Sequence, residues 1–378
     1  MPHLRANVIG SGILVPMSCL LLGACSDPPA RSDTEFDYDV PTRVAQLVPP
    51  DSLLTVQRRI GEADGELAFP YFTALAANDS LLAVVEAPEC RVLLIRRATA
   101  RLDRTAGRCG QGPGEFQEVG PVAFHRDSIV AIEQGVATAL VLGPDGEEVR
   151  RVSITIDSVR RYIVRGIESL DVIDDSTWMV SLRLLSSTNF SVDDTTNHSF
   201  VATVDSRTGI MRHRFGLDVT KSRRWPERAG RNYPACAAGG ARRRIVLANR
   251  WAPDAIVFDV EGRPIERVVV HHDRFRNLPD SIGGPFAPLQ TSVACSEHAF
   301  VISYMLPGAT SMSQTRSLIV IAPWDGAAGA AATFVTDEHP MYLGSIDTGV
   351  DSTLYFTANQ RFEYPLIHEV AFRIPEVP

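Results

Sequence analysis

The sequence predicts an all-β domain: a six-bladed β-propeller of four-stranded antiparallel blades. Three observations carry that expectation. A short apolar run behind a tight turn recurs along the chain, each copy is followed by a second turn signal, and no long segment has helical periodicity. Asp79-Ser80 precedes Leu81-Leu82-Ala83-Val84-Val85, and Asp127-Ser128 precedes Ile129-Val130-Ala131-Ile132. Asp175-Ser176 precedes Thr177-Trp178-Met179-Val180, and Asp351-Ser352 precedes Thr353-Leu354-Tyr355-Phe356. Ser80, Ser128 and Ser176 are spaced by 48 residues. The unit recurs twice more behind weaker turns, ahead of Ile245-Val246-Leu247-Ala248 and of Phe300-Val301-Ile302.

The second turn signal supplies the other hairpin of each unit. Ala139-Leu140-Val141-Leu142 runs through Pro144-Asp145-Gly146 into Glu148-Val149-Arg150-Arg151-Val152, and Ala255-Ile256-Val257-Phe258 through Glu261-Gly262 into Ile265-Glu266-Arg267-Val268. Thr208-Gly209 and Asp325-Gly326 fill the same slot in two further units. Such pairs provide the positive φ that tight hairpins require. Six units of four strands then span about residues 53–374, the repeat length of a propeller blade. The last unit holds three strands, expected near 345–349, 353–358 and 366–374. The lone strand 53–60 would join it as the outer strand and close the ring, leaving no exposed edge there. A β-sandwich, or two small β-domains, is the competing arrangement.

Ahead of the domain, Arg5 is followed by the apolar stretch Ile13-Leu14-Val15, Met17 and Leu20-Leu21-Leu22, interrupted by Pro16. A short apolar stretch after a basic start reads as a secretion signal, residues 1–24, rather than a membrane span. Leu22-Gly23-Ala24-Cys25 resembles the bacterial lipobox, whose cysteine is acylated and becomes the first mature residue. The simpler alternative is a cleaved signal containing a cysteine. By the same resemblance, Ser26 after the cysteine implies the outer membrane. Residues 25–50 hold the lipidated cysteine and a segment with Pro28, Pro29, Pro41, Pro49 and Pro50, the composition of a flexible tether, and 51–378 form the domain.

The formal charge is −8 with no long basic run, which argues against nucleic acid as a partner. After Cys19 leaves with the signal and Cys25 takes lipid, Cys90, Cys109, Cys236 and Cys295 remain. An even number in an oxidising compartment suits disulfides, with Cys90–Cys109 and Cys236–Cys295 as candidate pairs and free buried thiols as the alternative.

Strands a to d of a blade alternate in direction, so a–b and c–d turns share one face and b–c and d–a connections the other. The first set is short; the long segments, near 155–168, 183–198, 218–233, 271–288, 305–316 and 337–344, belong to the second. Function is expected on that face, because long loops on a rigid scaffold carry binding. Segment 218–233 sets Lys221, Arg223, Arg224, Arg228 and Arg231 beside Trp225 and Tyr233, a combination suited to an anion or a sugar and more often a solvated surface. His271-His272-Asp273 is a poor metal cluster, since adjacent side chains of an extended chain point apart. Glu86, Glu133, Arg183, Asn249, Tyr304 and Asn359 end or follow the second strands, near the channel rim. They could line a ligand or metal site; the competing role is structural, as in a pairing of Glu86 with Arg91.

The stretch Gly107-Arg108-Cys109-Gly110-Gln111-Gly112-Pro113-Gly114-Glu115-Phe116 looks most like a motif. Gly107 and Gly112 have P-loop separation, but Pro113 stands where the lysine must be and removes an N–H from the cradle. A connector between blades fits instead, with Phe116 wedged between them and Cys109 tied to Cys90.

Gly110-Gln111-Gly112-Pro113-Gly114-Glu115-Phe116, with Ala83-Val84-Val85-Glu86 and Arg91-Val92, resembles the NHL-repeat propellers, in which a glycine-rich run ending in Gly-x-Phe links blades. Gly61-Glu62-Ala63-Asp64-Gly65-Glu66 is a degraded second copy of the run. The resemblance implies an exported six-bladed propeller lipoprotein of the bacterial type, a class containing lactonases, lyases and binding scaffolds. The expected function is a non-catalytic binding or assembly module, with membrane attachment through lipid, a protein, small-molecule or glycan ligand, and no assigned cofactor. The competing reading is a metal-dependent hydrolase or lyase, using calcium or another divalent ion held by Glu86, Glu133, Asn249 and Asn359 at the channel mouth. Lipid-precursor labelling checks the anchor: incorporation is expected in the natural chain and lost in Cys25→Ala, and incorporation persisting in the variant contradicts it.

Overall fold

The computed structural model describes residues 39–61, 74–155, 162–186, 198–215, 235–248, 254–271, 291–305, 315–324, 329–336, 339–346, 353–359 and 366–372. Two strands, β1 (Thr42–Leu47) and β2 (Leu54–Ile60), flank one turn of helix, α1 (Pro50–Leu53). The first meander is β3 (Leu75–Ala77), β4 (Leu81–Glu86), β5 (Arg91–Arg96) and β6 (Arg101–Ala106). A small link, β7 (Arg108–Cys109) and β8 (Glu115–Phe116), leads to the second: β9 (Val119–His125), β10 (Ser128–Glu133), β11 (Thr138–Leu142) and β12 (Glu148–Ser153). The third is β13 (Tyr162–Asp174), β14 (Thr177–Ser186), β15 (His198–Asp205) and β16 (Met211–Phe215). The fourth is β17 (Ala235–Ala238), β18 (Arg244–Ala248), β19 (Asp254–Asp259) and β20 (Pro264–Val270). The fifth is β21 (Thr291–Cys295), β22 (Ala299–Met305), β23 (Thr315–Pro323) and β24 (Ala330–Thr336). The last comprises β25 (His339–Ile346), β26 (Thr353–Asn359) and β27 (Leu366–Phe372).

The architecture is all-β and propeller-like. The first, second and third meanders are separate four-stranded antiparallel sheets; the last is completed by β2, antiparallel to β27 from Leu54↔Phe372 to Ile60↔Ile367. The fourth and fifth meanders are fused into one nine-stranded sheet by β1, which lies parallel to both β20 and β24. First strands neighbour one another in turn: β3 beside β9, then β13, β17, β21 and β25, and β25 lies beside β3.

Two-sided burial explains the continuous apolar runs. In β4, Ala83 and Val85 pack with Val122 and Ile129 of the second meander, while Leu82 and Val84 pack with Tyr355 and Ile367 of the last. Successive side chains point to opposite faces, so a strand apolar at every position is buried on both. Each seam repeats the pattern. Trp178 and Val180 meet Val130 and Val141, Met179 meets Ile245 and Phe258, Val257 meets Phe300 and Trp324, and Ile319 meets Leu354 and Phe372. Fully burying one such side chain contributes about 1.5–3 kcal/mol.

Two seams have additional ties. Between the fourth and fifth meanders, Ala45 of β1 is buried at the outer edge, and Arg43 bridges Glu266 at 2.7 Å and donates to the Pro323 carbonyl at 2.6 Å. At the inner edge of the same seam a disulfide joins Cys236 of β17 to Cys295 of β21. Between the last and first meanders, Arg97 donates to the Tyr355 hydroxyl at 2.6 Å, and Arg58 of β2, held by Glu369 of β27 at 2.8 Å, donates to the Arg97 carbonyl and to the Ala98 carbonyl at 3.3 Å. Leu53 of α1 fills the seam between the fifth and last meanders.

Three expectations about boundaries are corrected. Residues 42–47, expected within the tether, form β1; its partners lie far along the chain, and a parallel pairing leaves no turn signal. The first strand of the last meander is His339–Ile346, overlapping the loop expected at 337–344 and preceding the strand expected at 345–349. The loops expected at 155–168 and 183–198 are in part strand, because β13 and β14 continue pairing from Asp174↔Thr177 out to Tyr162↔Ser186. Cys25, the signal and residues 26–38 lie outside the described residues.

Candidate functional site

The face formed by the a–b and c–d turns is closed by its own side chains. Asn78 Oδ1 accepts from the backbone N–H groups of Ser80 at 3.0 Å and Leu81 at 2.7 Å. Asp174 Oδ1 accepts from Ser176 at 2.8 Å, and Asp205 Oδ1 from Arg207 at 3.0 Å and Thr208 at 2.9 Å. Asp145 and Asp259 act likewise, accepting from Glu147 at 3.0 Å and from Arg263 at 2.8 Å. This is the reason for Asn and Asp at those turns: a short acceptor replaces the missing ladder partner. Arg212 and the Thr208 N–H hold the Asp205 carboxyl well below the usual carboxylate range. Neighbouring turns are also tied, Arg243 to Asp174 at 2.9 Å and His125 to Asp175 at 2.8 Å.

The opposite face carries the b–c and d–a connections, where the sequence places the candidate residues. Glu86 ends β4, is buried, and receives Arg91 Nε at 2.5 Å. Glu133 ends β10 in the same way; Oε1 accepts from the Gln117 N–H at 3.3 Å and Oε2 faces Arg151 at 3.4 Å. The two rim carboxylates therefore bind their own connections to the sheet. Tyr304, fully buried in β22, donates to the Asp254 carbonyl at 3.0 Å, and burial raises its pKa. Asn359 ends β26 opposite His339, and Arg183 lies in β14 opposite Gly166 and Ser199. Asn249, Trp225, Arg231 and Tyr233 lie outside the described residues. Among the described residues no three His, Cys, Asp or Glu side chains are grouped to hold a metal.

The glycine-rich connector is fixed at each of its turns. Gly107 and Gly114 have φ of +80° and +70°, and a Cβ on Gly107 would meet the Phe116 ring at 2.4 Å. Phe116 is fully buried among residues of the first and second meanders. Glu115 accepts from the Gly112 N–H at 2.7 Å and from Arg108 at 2.8 Å, and these two lower its pKa. The Gly114 N–H donates to Glu148 at 2.6 Å, and Arg151 donates to the Gly112 carbonyl at 3.2 Å. Cys109 is joined to Cys90 at the end of the b–c turn. The glycines thus serve backbone path and close packing; the N–H groups of Gly112 and Gly114 are occupied by carboxylates of the chain itself, and that of Gly110 by the Phe116 carbonyl.

Two inner-wall residues escaped the sequence reading. The Gln134 carboxamide takes both backbone groups of Ile167, receiving its N–H at 3.1 Å and donating to its carbonyl at 2.5 Å, so the second meander completes the edge of β13. Gly120 makes room, since a Cβ there would lie 2.3 Å from Gln134 Nε2. One seam on, Asp171 of β13 accepts from the Ala237 N–H of β17 at 2.9 Å. Burial raises the Asp171 pKa to about 7, against the lowering by that hydrogen bond. First strands have one unpaired edge, and these side chains stand in for a neighbouring strand.

No protein-family model and no curated protein matches this chain. Solved structures do. An exported protein of Bacteroides fragilis superposes with a TM-score of 0.51 at 10% identity, over 89% of this chain and 100% of its own. A member of the DUF4221 family from Bacteroides vulgatus gives 0.56 at 10% identity, over 86% and 99%. At this identity the likeness establishes the propeller-like all-β fold.

Asp171 makes stability depend on pH. Its folded pKa of about 7 lies above the ordinary 3.8, so its contribution is fully present below 3.8 and is lost as pH rises through 7. In Asp171→Asn the amide oxygen can still accept from Ala237 without a buried charge. Urea midpoints should then exceed the natural chain's at pH 8 and converge with it near pH 4; an unchanged pH slope contradicts the assignment.

Proposed function

We propose that the chain is an exported, lipid-anchored six-bladed β-propeller of NHL-like type, acting as a binding or assembly module through its b–c/d–a face. The count of six takes the fourth and fifth meanders as two blades sharing β1. It is supported by the passage of first strands from β3 through β25 back to β3, and by an apolar cluster at every successive seam, including last to first. Anchoring at Cys25, with Ser26 following, supports the outer membrane, where acylation contributes roughly 0.8 kcal/mol per buried methylene.

The observation that carries the binding reading is the contrast between the faces. One, among the described residues, consists of short turns in which Asn or Asp side chains accept from the turn's own N–H groups. The other carries the ends of β14, β16 and β20 and a framework already fixed by Glu86, Glu133 and Phe116. On that framework Val136 stands 55% exposed in the β10–β11 turn, and the Arg108 side chain is 77% exposed in the connector. An exposed valine with an exposed arginine on a rigid base suits a protein partner. The metal-dependent alternative has less support, because Glu86 and Glu133 are already paired with arginine.

Photo-crosslinking residues placed singly at Arg108, Val136, Asp145 and Arg207 of the full chain in the producing cells test this. Partner cross-links are expected from Arg108 and Val136 and not from Asp145 or Arg207. Cross-links confined to the latter two overturn the reading.

A further inference from the structure

The two disulfides occupy unlike places. Cys236–Cys295 joins inner strands of adjacent meanders, with Cys236 buried in the core of that seam. Cys90–Cys109 instead joins the b–c turn of the first meander to the glycine-rich connector, and Cys109 is exposed. Cys90 itself is buried in the cluster between the first and second meanders, where Val85, Phe116, Val122 and Ala131 pack without any covalent bond.

The local backbone does not need the bond to reach its shape. Cys90 adopts φ +51° just before β5, and Ala137, in the same place before β11, adopts φ +49° without a cross-link. At the far end of the connector, Phe116 is anchored by burial. Between these points, Arg108 to Gly114 are held by the disulfide, by the short β7–β8 pairing with the Gly110 N–H donating to the Phe116 carbonyl at 3.0 Å, and by side-chain hydrogen bonds of Glu115, Glu148 and Arg151. A two-residue pairing and single hydrogen bonds of that kind are individually weak, and the covalent bond is the one restraint that ties the connector to the b–c turn of the first meander.

We propose that Cys90–Cys109 is a redox latch on the binding face, closed by oxidation and opened by a dithiol reductant; its regulatory meaning rests on the reading of that face given above. One thiolate of the dithiol attacks the exposed Cys109 sulfur, the bond between the two cysteine sulfurs breaks, and Cys90 leaves as a thiolate that takes up a proton. The second thiol of the reductant then displaces Cys109 from the mixed disulfide. Two electrons pass to the protein, which ends with two thiols, and the reductant ends as a disulfide. Opening frees residues 108–114, which carry Arg108, while Phe116 keeps the two meanders packed.

The test is a graded reduction of the full chain with dithiothreitol, read by rapid alkylation with mass spectrometry and by hydrogen exchange. Cys90 and Cys109 should be alkylated at a dithiothreitol concentration at least tenfold below that needed for Cys236 and Cys295. Amides of 108–114 should then exchange at least tenfold faster, with β4 and β5 unchanged. Simultaneous reduction of both bonds, loss of protection throughout the chain, or an unchanged connector each overturns the latch. The Cys90→Ser/Cys109→Ser variant should exchange fast at the connector without reductant; if it folds poorly, the reduction series on the natural chain decides. Cross-linking from Val136 takes no part in these readouts, so its failure counts against the binding face and leaves the latch standing.

Discussion

Burial on both faces of the middle strands is the constraint on which the rest of the structure depends. A strand such as β4, with Leu82 and Val84 on one side and Ala83 and Val85 on the other, cannot satisfy itself within one sheet. Each meander therefore needs a neighbour on either side, and a linear stack would leave two large apolar faces in water. The last meander packing on the first, through Tyr355, Ile367, Leu82 and Val84, removes both. The N-terminal segment serves the same end: β2 supplies the last meander's outer strand, Leu53 fills one seam, and β1 bridges another.

That constraint also separates the faces. Strands fixed in place by their seams leave only their connections free to vary, and the two sets of connections have been used differently. Among the described residues, turns of the a–b and c–d kind are short, and five of them are finished by Asn78, Asp145, Asp174, Asp205 or Asp259. On the other side Glu86 and Glu133 hold the ends of β4 and β10 to neighbouring segments, and Glu115 and Glu148 fix the connector, giving that face a rigid platform. Binding on such a platform loses little ordering entropy from the base itself.

The sequence made the local part of this legible. Asp-Ser turns before apolar runs identified β4, β10, β14 and β26, because hairpins are local and their turn chemistry is stereotyped. The Glu86–Arg91 pairing was also readable, since the two flank one short turn. What was hidden depends on remote contacts. β1 lies between strands far away in the chain, β13 and β14 are lengthened by mutual pairing, and Asp171 gains its meaning from a backbone N–H one meander away. None of these leaves a periodic or turn signature.

The central claim is that the first and last meanders are direct neighbours, and a double-mutant cycle across their seam tests it most directly. Arg97→Ala and Tyr355→Phe, singly and together, remove the 2.6 Å hydrogen bond between the first meander and β26. Urea unfolding should give a coupling energy of about 1 kcal/mol or more, the range for a partly buried hydrogen bond to a charged group. Strictly additive effects would mean that the two side chains never meet, and would contradict the closure from which the rest of the account follows.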